Sequence, residues 1–125
     1  AAKAARPTRV GTIFVAVRTD GAVLLRRRPA KGLLGGMSEP PGTVWVEAGG
    51  ERVPAVPPLP GRWRRAGGIV HVFTHFRLEA EVMVGAVAAG VAAPEGHWWS
   101  APGDLAGEAL PTVFRKAIAA ALGDA

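Results

Sequence analysis

Residues 69–84 constrain this chain more tightly than any other stretch. Ile69-Val70-His71-Val72-Phe73 is β-branched and aromatic, while Leu78-Glu79-Ala80-Glu81-Val82 alternates apolar and charged side chains, as a strand with one wet face does. Between them Thr74, His75, Phe76 and Arg77 break step. The pattern therefore predicts two β segments joined by a short polar bend. Polar groups placed inside apolar strands need partners or a ligand. Arg62, Trp63, Arg64 and Arg65 stand just upstream and bring concentrated positive charge.

The flanking sequence predicts mostly strands. Residues 10–17 form a continuous apolar run of strand length, and Val23, Leu24 and Leu25 resume it after Asp20-Gly21, a pair suited to a tight hairpin turn. Pro29 ends that second strand after Arg26, Arg27 and Arg28. Gly32, Gly35, Gly36, Pro40, Pro41 and Gly42 make 31–42 a loop, with Leu33, Leu34 and Met37 expected to turn inwards. Residues 43–46 suit a short strand. Gly49, Gly50, Pro54, Pro57, Pro58 and Pro60 exclude a long helix over 47–61. Beyond residue 87, Pro94-Glu95-Gly96 predicts a turn, His97-Trp98-Trp99-Ser100 an edge strand and 102–106 one helical turn. Pro111 suits the first position of a helix reaching about Leu122 and closed by Gly123. Phe114, Ala117, Ile118, Ala121 and Leu122 share one face of that helix; Arg115 and Lys116 fall on the other. Strands with one packed helix give an α+β domain. A 125-residue chain fits one such domain, over 10–123, with 1–9 as a lead-in or linker.

Charge is unevenly spread. The net charge is +5, and over residues 1–31 Lys3, Arg6, Arg9, Arg18, Arg26, Arg27, Arg28 and Lys31 face only Asp20. Between Leu78 and Leu110 the sign reverses with Glu79, Glu81, Glu95, Asp104 and Glu108. Such asymmetry suits a polyanion on the basic side, or is simple solubilising charge. Cysteine is absent, which excludes disulfides and thiolate metal sites. His71 and His75, four apart in one strand, would stand over ~13 Å apart, too far to share a metal. No apolar run has membrane-span length and no signal-like start is present, so the cytosol is the expected compartment.

A resemblance adds a specific expectation. Val23-Leu24-Leu25-Arg26-Arg27-Arg28-Pro29, Lys31-Gly32-Leu33-Leu34-Gly35-Gly36-Met37, Glu39 and Pro41-Gly42 resemble the start of the C-terminal domain of MutY-type adenine DNA glycosylases. His71-Val72-Phe73-Thr74-His75-Phe76-Arg77-Leu78 is similar to that family's central signature, and residues 98–105 with Leu110-Pro111 match its closing segment. The resemblance implies a Nudix-like fold, a mixed sheet with the C-terminal helix packed on it and the Nudix catalytic helix degenerate or missing. It implies a base-excision-repair module that recognises 8-oxoguanine opposite adenine in double-stranded DNA. The partner would be an N-terminal catalytic domain carrying a 4Fe-4S cluster, with no cofactor in this chain and a bacterial, nucleoid-associated location. Phe73 would wedge against the base stack, Thr74 would hydrogen-bond the lesion, and His75 would support the loop or touch phosphate. Arg26, Arg28, Lys31, Arg62, Arg64 and Arg65 are the candidates for phosphate contacts. Family members often carry an aromatic pair where Ser38 and Pro40 stand here, so that loop is expected to sit differently.

Residues also speak against hydrolysis. A Nudix hydrolase holds divalent ions with clustered carboxylates on a helix bearing an Arg-Glu-x-x-Glu-Glu run. Here Glu47 and Glu51 are the only acids between Gly42 and Gly61, where that helix would lie, and Pro54 stands three residues after Glu51. The chain is expected to bind rather than cut. The alternative is a stand-alone Nudix hydrolase acting on 8-oxo-dGTP, and a third possibility is a protein-interaction domain. For side chains with two readings, Phe76 is expected in the core and His71 as a structural histidine. One of Trp98 and Trp99 is expected in the core with the other partly exposed. Trp63 is either a base-stacking residue or a loop anchor.

Overall fold

A computed structural model describes residues 6–51 and 53–123. Its strands are β1 (Thr8–Arg18), β2 (Val23–Arg27), β3 (Ser38–Glu39), β4 (Val46–Glu47), β5 (Arg62–Val72), β6 (Arg77–Val87) and β7 (His97–Ser100); one helix, α1 (Thr112–Leu122), follows. The sheet runs β3-β2-β1-β6-β5, with β4 added to β1 and β7 to β2. β1 and β6 pair in parallel along their whole length, from Thr8 opposite Arg77 to Arg18 opposite Val87. The other pairs are antiparallel, so the sheet is mixed.

Both faces of β1 are covered, which is why its sequence is a continuous apolar run. Ile13 and Val15 join Leu78, Ala80, Val82 and Val84 of β6 under Val113, Phe114, Ala117, Ile118 and Ala121 of α1. Ala16 joins Leu24, Val87, Trp63 and Trp99 on the opposite face. α1 covers the first face only. The second is packed by Leu59, Trp63, Val91, Ala93 and Trp99, with the 43–61 segment, in which β4 is the only regular element among the described residues, lying over part of it.

Several boundaries differ from expectation. β1 begins at Thr8 rather than residue 10 because Thr8 and Arg9 pair with Arg77 and Leu78; of the lead-in, residues 1–5 lie outside the described residues. The short strand expected at 43–46 is Val46–Glu47, placed by pairing with Val10 and Arg9. The helical turn expected at 102–106 is a 3-10 turn at Leu105–Gly107. Pro111 caps α1 instead of starting it, and Leu122, 42% exposed, lies off the buried face. Leu34 packs on the core, with a positive φ of 55°, but Leu33 stays exposed. The Asp20-Gly21 hairpin forms as expected, with Gly21 at φ 88° and the Arg18 N–H donating to the Ala22 carbonyl at 2.9 Å.

Candidate nucleic-acid interface

β5 and β6 form a hairpin whose last ladder pair is Val72 opposite Arg77. The Phe73 N–H then donates to the Phe76 carbonyl at 2.8 Å, leaving only Thr74 and His75 at the tip. Both are exposed. His75 is therefore not on a strand with His71, as the sequence spacing suggested; His71 ends β5 and His75 sits in the turn.

An aromatic platform carries the tip. Phe73 stacks on Phe76 with ring centres 4.7 Å apart and planes inclined at 26°. Trp45 lies 5.9 Å from Phe73, 6.2 Å from Phe76 and 6.0 Å from Phe114 of α1, and His71 meets the Phe73 edge at 4.8 Å. Phe76 is 5% exposed, a core residue as expected. Phe73 is half-buried in the platform rather than projecting as a free wedge. Gly11 lets the Trp45 ring come close against β1, since a Cβ there would stand 2.5 Å from Trp45 Cδ1.

Cations reach the tip from three directions. Arg6 Nε donates to the Thr74 carbonyl at 3.0 Å, and the Arg9 guanidinium lies 4.2 Å over the Phe76 ring. Lys116 Nζ donates to the Val70 carbonyl at 3.2 Å and approaches His71 Nδ1 at 3.1 Å. Burial, and then the Lys116 charge, lowers the His71 pKa below its ordinary value, so the neutral ring is favoured there. Arg77, the first residue of β6, bonds Glu79 at 3.0 Å.

The nine residues singled out from sequence do not form one cluster. Phe73, Thr74 and His75 share the tip. Arg26 and Arg28 instead clamp Glu39, 5% exposed, at 2.8 and 2.6 Å. A carboxylate so buried needs cationic partners, which is the structural reason for both arginines. Arg28 also lies 5.4 Å over Trp45 and bonds the Leu33 carbonyl at 3.0 Å, which ties the loop bearing exposed Lys31 to the platform side. Arg62, Arg64 and Arg65 are remote from the tip. Arg65 lies opposite Met83 and Arg62 opposite Ala86, which at ~3.4 Å per residue is roughly 20 and 30 Å along β6 from Arg77. Arg65 pairs with Glu81 at 3.4 Å.

The remaining tryptophans are structural. Trp63 lies on Gly85, donates to the Leu59 carbonyl at 2.9 Å and meets Phe14 edge-on at 5.7 Å, which makes it a loop anchor. Trp98 and Trp99 are both half-buried on opposite faces, bonded to Glu108 and to the Val91 carbonyl. Sequence reasoning missed Arg6, Arg9, Trp45 and Lys116 as tip residues. Only the parallel pairing of β1 with β6, a long-range feature, brings the start of the chain to the hairpin.

On the sheet face opposite α1, an open cleft of about 1000 Å³ lies between the 43–55 segment and the strands; Thr12, Val44, Arg65, Glu79 and Glu81 are among its lining residues. Its strand carboxylates already face guanidiniums, Glu79 beside Arg77 and Glu81 beside Arg65. Among the described residues no three histidine or acidic side chains stand together as a metal-holding group, and no helix is long and apolar enough to cross a membrane.

A family model for the NUDIX domain matches residues 12–120. No curated protein matches the chain in sequence. The C-terminal domain of mouse MUTYH, solved in complex with human PCNA, matches with a TM-score of 0.72 and 26% identity, covering 90% of this chain and 86% of that one. A MutT protein from Methanosarcina mazei Go1 matches with a TM-score of 0.60 and 20% identity, covering 92% of this chain and 93% of that one. The NUDIX domain of Shewanella oneidensis NrtR, solved with ADP ribose, matches with 0.63 and 15%, covering 97% and 89%. The last two share the fold alone. With the family model spanning the sheet and α1, and the MUTYH domain matching over nearly the whole chain, this chain belongs to the Nudix domain family as a Nudix-like domain of the MutY C-terminal type.

Proposed function

We propose that this domain recognises 8-oxoguanine opposite adenine in duplex DNA as the C-terminal module of an adenine DNA glycosylase. The observation that carries the proposal is the exposed Thr74-His75 tip, seated on an aromatic platform and flanked by cations. Oxidation at C8 converts the guanine N7 acceptor into an N–H donor and adds a carbonyl. The Thr74 hydroxyl both donates and accepts, so it complements the altered edge better than it does guanine, whose N7 and O6 only accept. A site of this kind discriminates by leaving its own polar atom unpaired against the wrong base. One such contact supplies about 1–3 kcal/mol, a preference rather than a full search. Sequence-blind affinity then falls to cations on the tip side: Arg9, Arg77, Lys116 and Lys31.

The test is binding of the full chain to matched duplexes holding 8-oxoguanine:A or G:A, at two salt concentrations. Wild type should prefer the oxidised duplex, and Thr74→Ala should lose most of that preference while keeping its salt dependence. Equal affinity of the wild type for both duplexes would sink the proposal. The hydrolase alternative is checked in the same preparation by incubation with 8-oxo-dGTP and Mg²⁺, where no pyrophosphate release is expected.

A further inference from the structure

The tip turn is not specified by its own residues. A two-residue hairpin loop normally adopts a type I′ or II′ turn, which requires positive φ and therefore favours Gly, Asn or Asp. Thr74 and His75 are none of these, and Leu34 is the only non-glycine residue with positive φ among the described residues. Within the loop the one backbone bond among the described residues is from the Phe73 N–H to the Phe76 carbonyl, and the segment ahead of β1 adds support at three successive points. Arg6 Nε donates to the Thr74 carbonyl at 3.0 Å. The Pro7 carbonyl accepts from the Arg77 N–H at 2.9 Å, just beyond the turn. Arg9 lies 4.2 Å over the Phe76 ring. The exposed Arg6 makes no other bond among the described residues.

We infer that Arg6, Pro7 and Arg9 are the positioning element of the lesion-reading turn, and that Arg6 in particular sets how Thr74 and His75 are presented. This inference rests on the function proposed above for the tip. It makes Arg6 a residue that acts through Thr74 rather than on the base. Any force or displacement on the chain ahead of β1 is then felt at the turn, because the brace and β1 are continuous.

Two measurements on the full chain test it. Hydrogen exchange of the Phe73 and Arg77 amides in the free protein requires no DNA. Arg6→Ala should speed both several-fold while leaving the Val82 and Ile13 amides unchanged, and Arg6→Lys should restore most of the protection. Unchanged exchange at Phe73 would overturn the inference whatever the protein binds. In duplex binding, Arg6→Ala should lower the ratio of 8-oxoguanine:A to G:A affinity roughly three- to tenfold, the worth of one net hydrogen bond. Equal weakening of both duplexes with a shallower salt slope would make Arg6 a phosphate contact and end its positioning role. A wild type without preference removes the proposed function but leaves the exchange measurement to decide the brace.

Discussion

The two ends of the β5–β6 hairpin use the same packing device to opposite effect. At each end a tryptophan packs closely against a strand glycine: Trp63 on Gly85 at the open end, Trp45 on Gly11 at the turn. At the open end the arrangement closes inwards. The Trp63 indole bonds the Leu59 carbonyl, nearby Trp99 bonds the Val91 carbonyl, and the Trp63 ring packs against Phe14. At the turn end the tryptophan supports other rings, and these hold a hydroxyl and an imidazole out to solvent. Charge density in the sequence points to the arginine-rich open end, but the atoms able to read a base edge stand at the other. On the function proposed above, recognition follows the platform rather than the count of guanidiniums.

The most direct challenge to this contrast is to remove one ring from each end. Phe114→Ala, beneath Trp45, and Trp63→Ala should each cost about 3–5 kcal/mol in denaturant unfolding. Only Phe114→Ala should also abolish the preference for the oxidised duplex, measured where each variant is fully folded. If Trp63→Ala removes that preference equally, the two ends are not functionally distinct. A smaller effect is expected from Gly85→Ala. A Cβ there meets the Trp63 ring at 2.4 Å, and overpacking of this kind costs about 1–3 kcal/mol, read as a lower denaturation midpoint with lesion preference intact.

The charged residues offer a finer test. The triple replacement Arg62→Gln, Arg64→Gln, Arg65→Gln should change duplex affinity less than Arg9→Gln with Lys116→Met, because only the latter pair flanks the tip. Removing one cation that truly grips a phosphate should flatten the log-log salt slope by ~0.9. A larger drop in affinity from the triple variant would place the DNA across the open end and overturn the assignment.

How much of this was legible beforehand depends on range. The alternation in β6 and the apolar run in β1 carry their own burial pattern, so these strands and the amphipathic α1 follow from local chemistry, whereas the mixed sheet was expected only from the family resemblance. Thr74 and His75 stand out because a hydroxyl and an imidazole interrupt β-branched neighbours. That Arg26 and Arg28 clamp Glu39 was not legible, because nothing local says that Glu39, thirteen residues after Arg26, is buried between them. Arg6 and Arg9 were hidden for a related reason: only the parallel β1–β6 register, with Thr8 opposite Arg77 and Arg9 opposite Leu78, brings the start of the chain to the hairpin tip. Lys116 does lie on the outer side of α1, yet that side reaches the end of β5.

The weakest effect of all separates the two ends by pH. His71 at the turn end has its pKa held below the ordinary ~6.5 by burial and by Lys116. Its neutral form is favoured in the fold, so the unfolded chain takes up the proton first as pH falls. The stability this residue contributes is present above about 6.5 and is lost as pH falls from there to the lowered value. Asp20, in the β1–β2 turn at the open end, has its pKa lowered to about 2 by its hydrogen bonds with Arg18 and then the Ala22 N–H. Its contribution is present above the ordinary 3.8 and is lost only as pH falls from there through about 2. In an NMR titration the His71 ring and the amides of Phe73 and Arg77 should therefore shift together below pH 6.5. The Ala22 amide should stay still until below about pH 4. A His71 ring that titrates at or above 6.5 would mean that Lys116 and the platform do not enclose it, and the turn end would lose the support on which its difference from the open end depends.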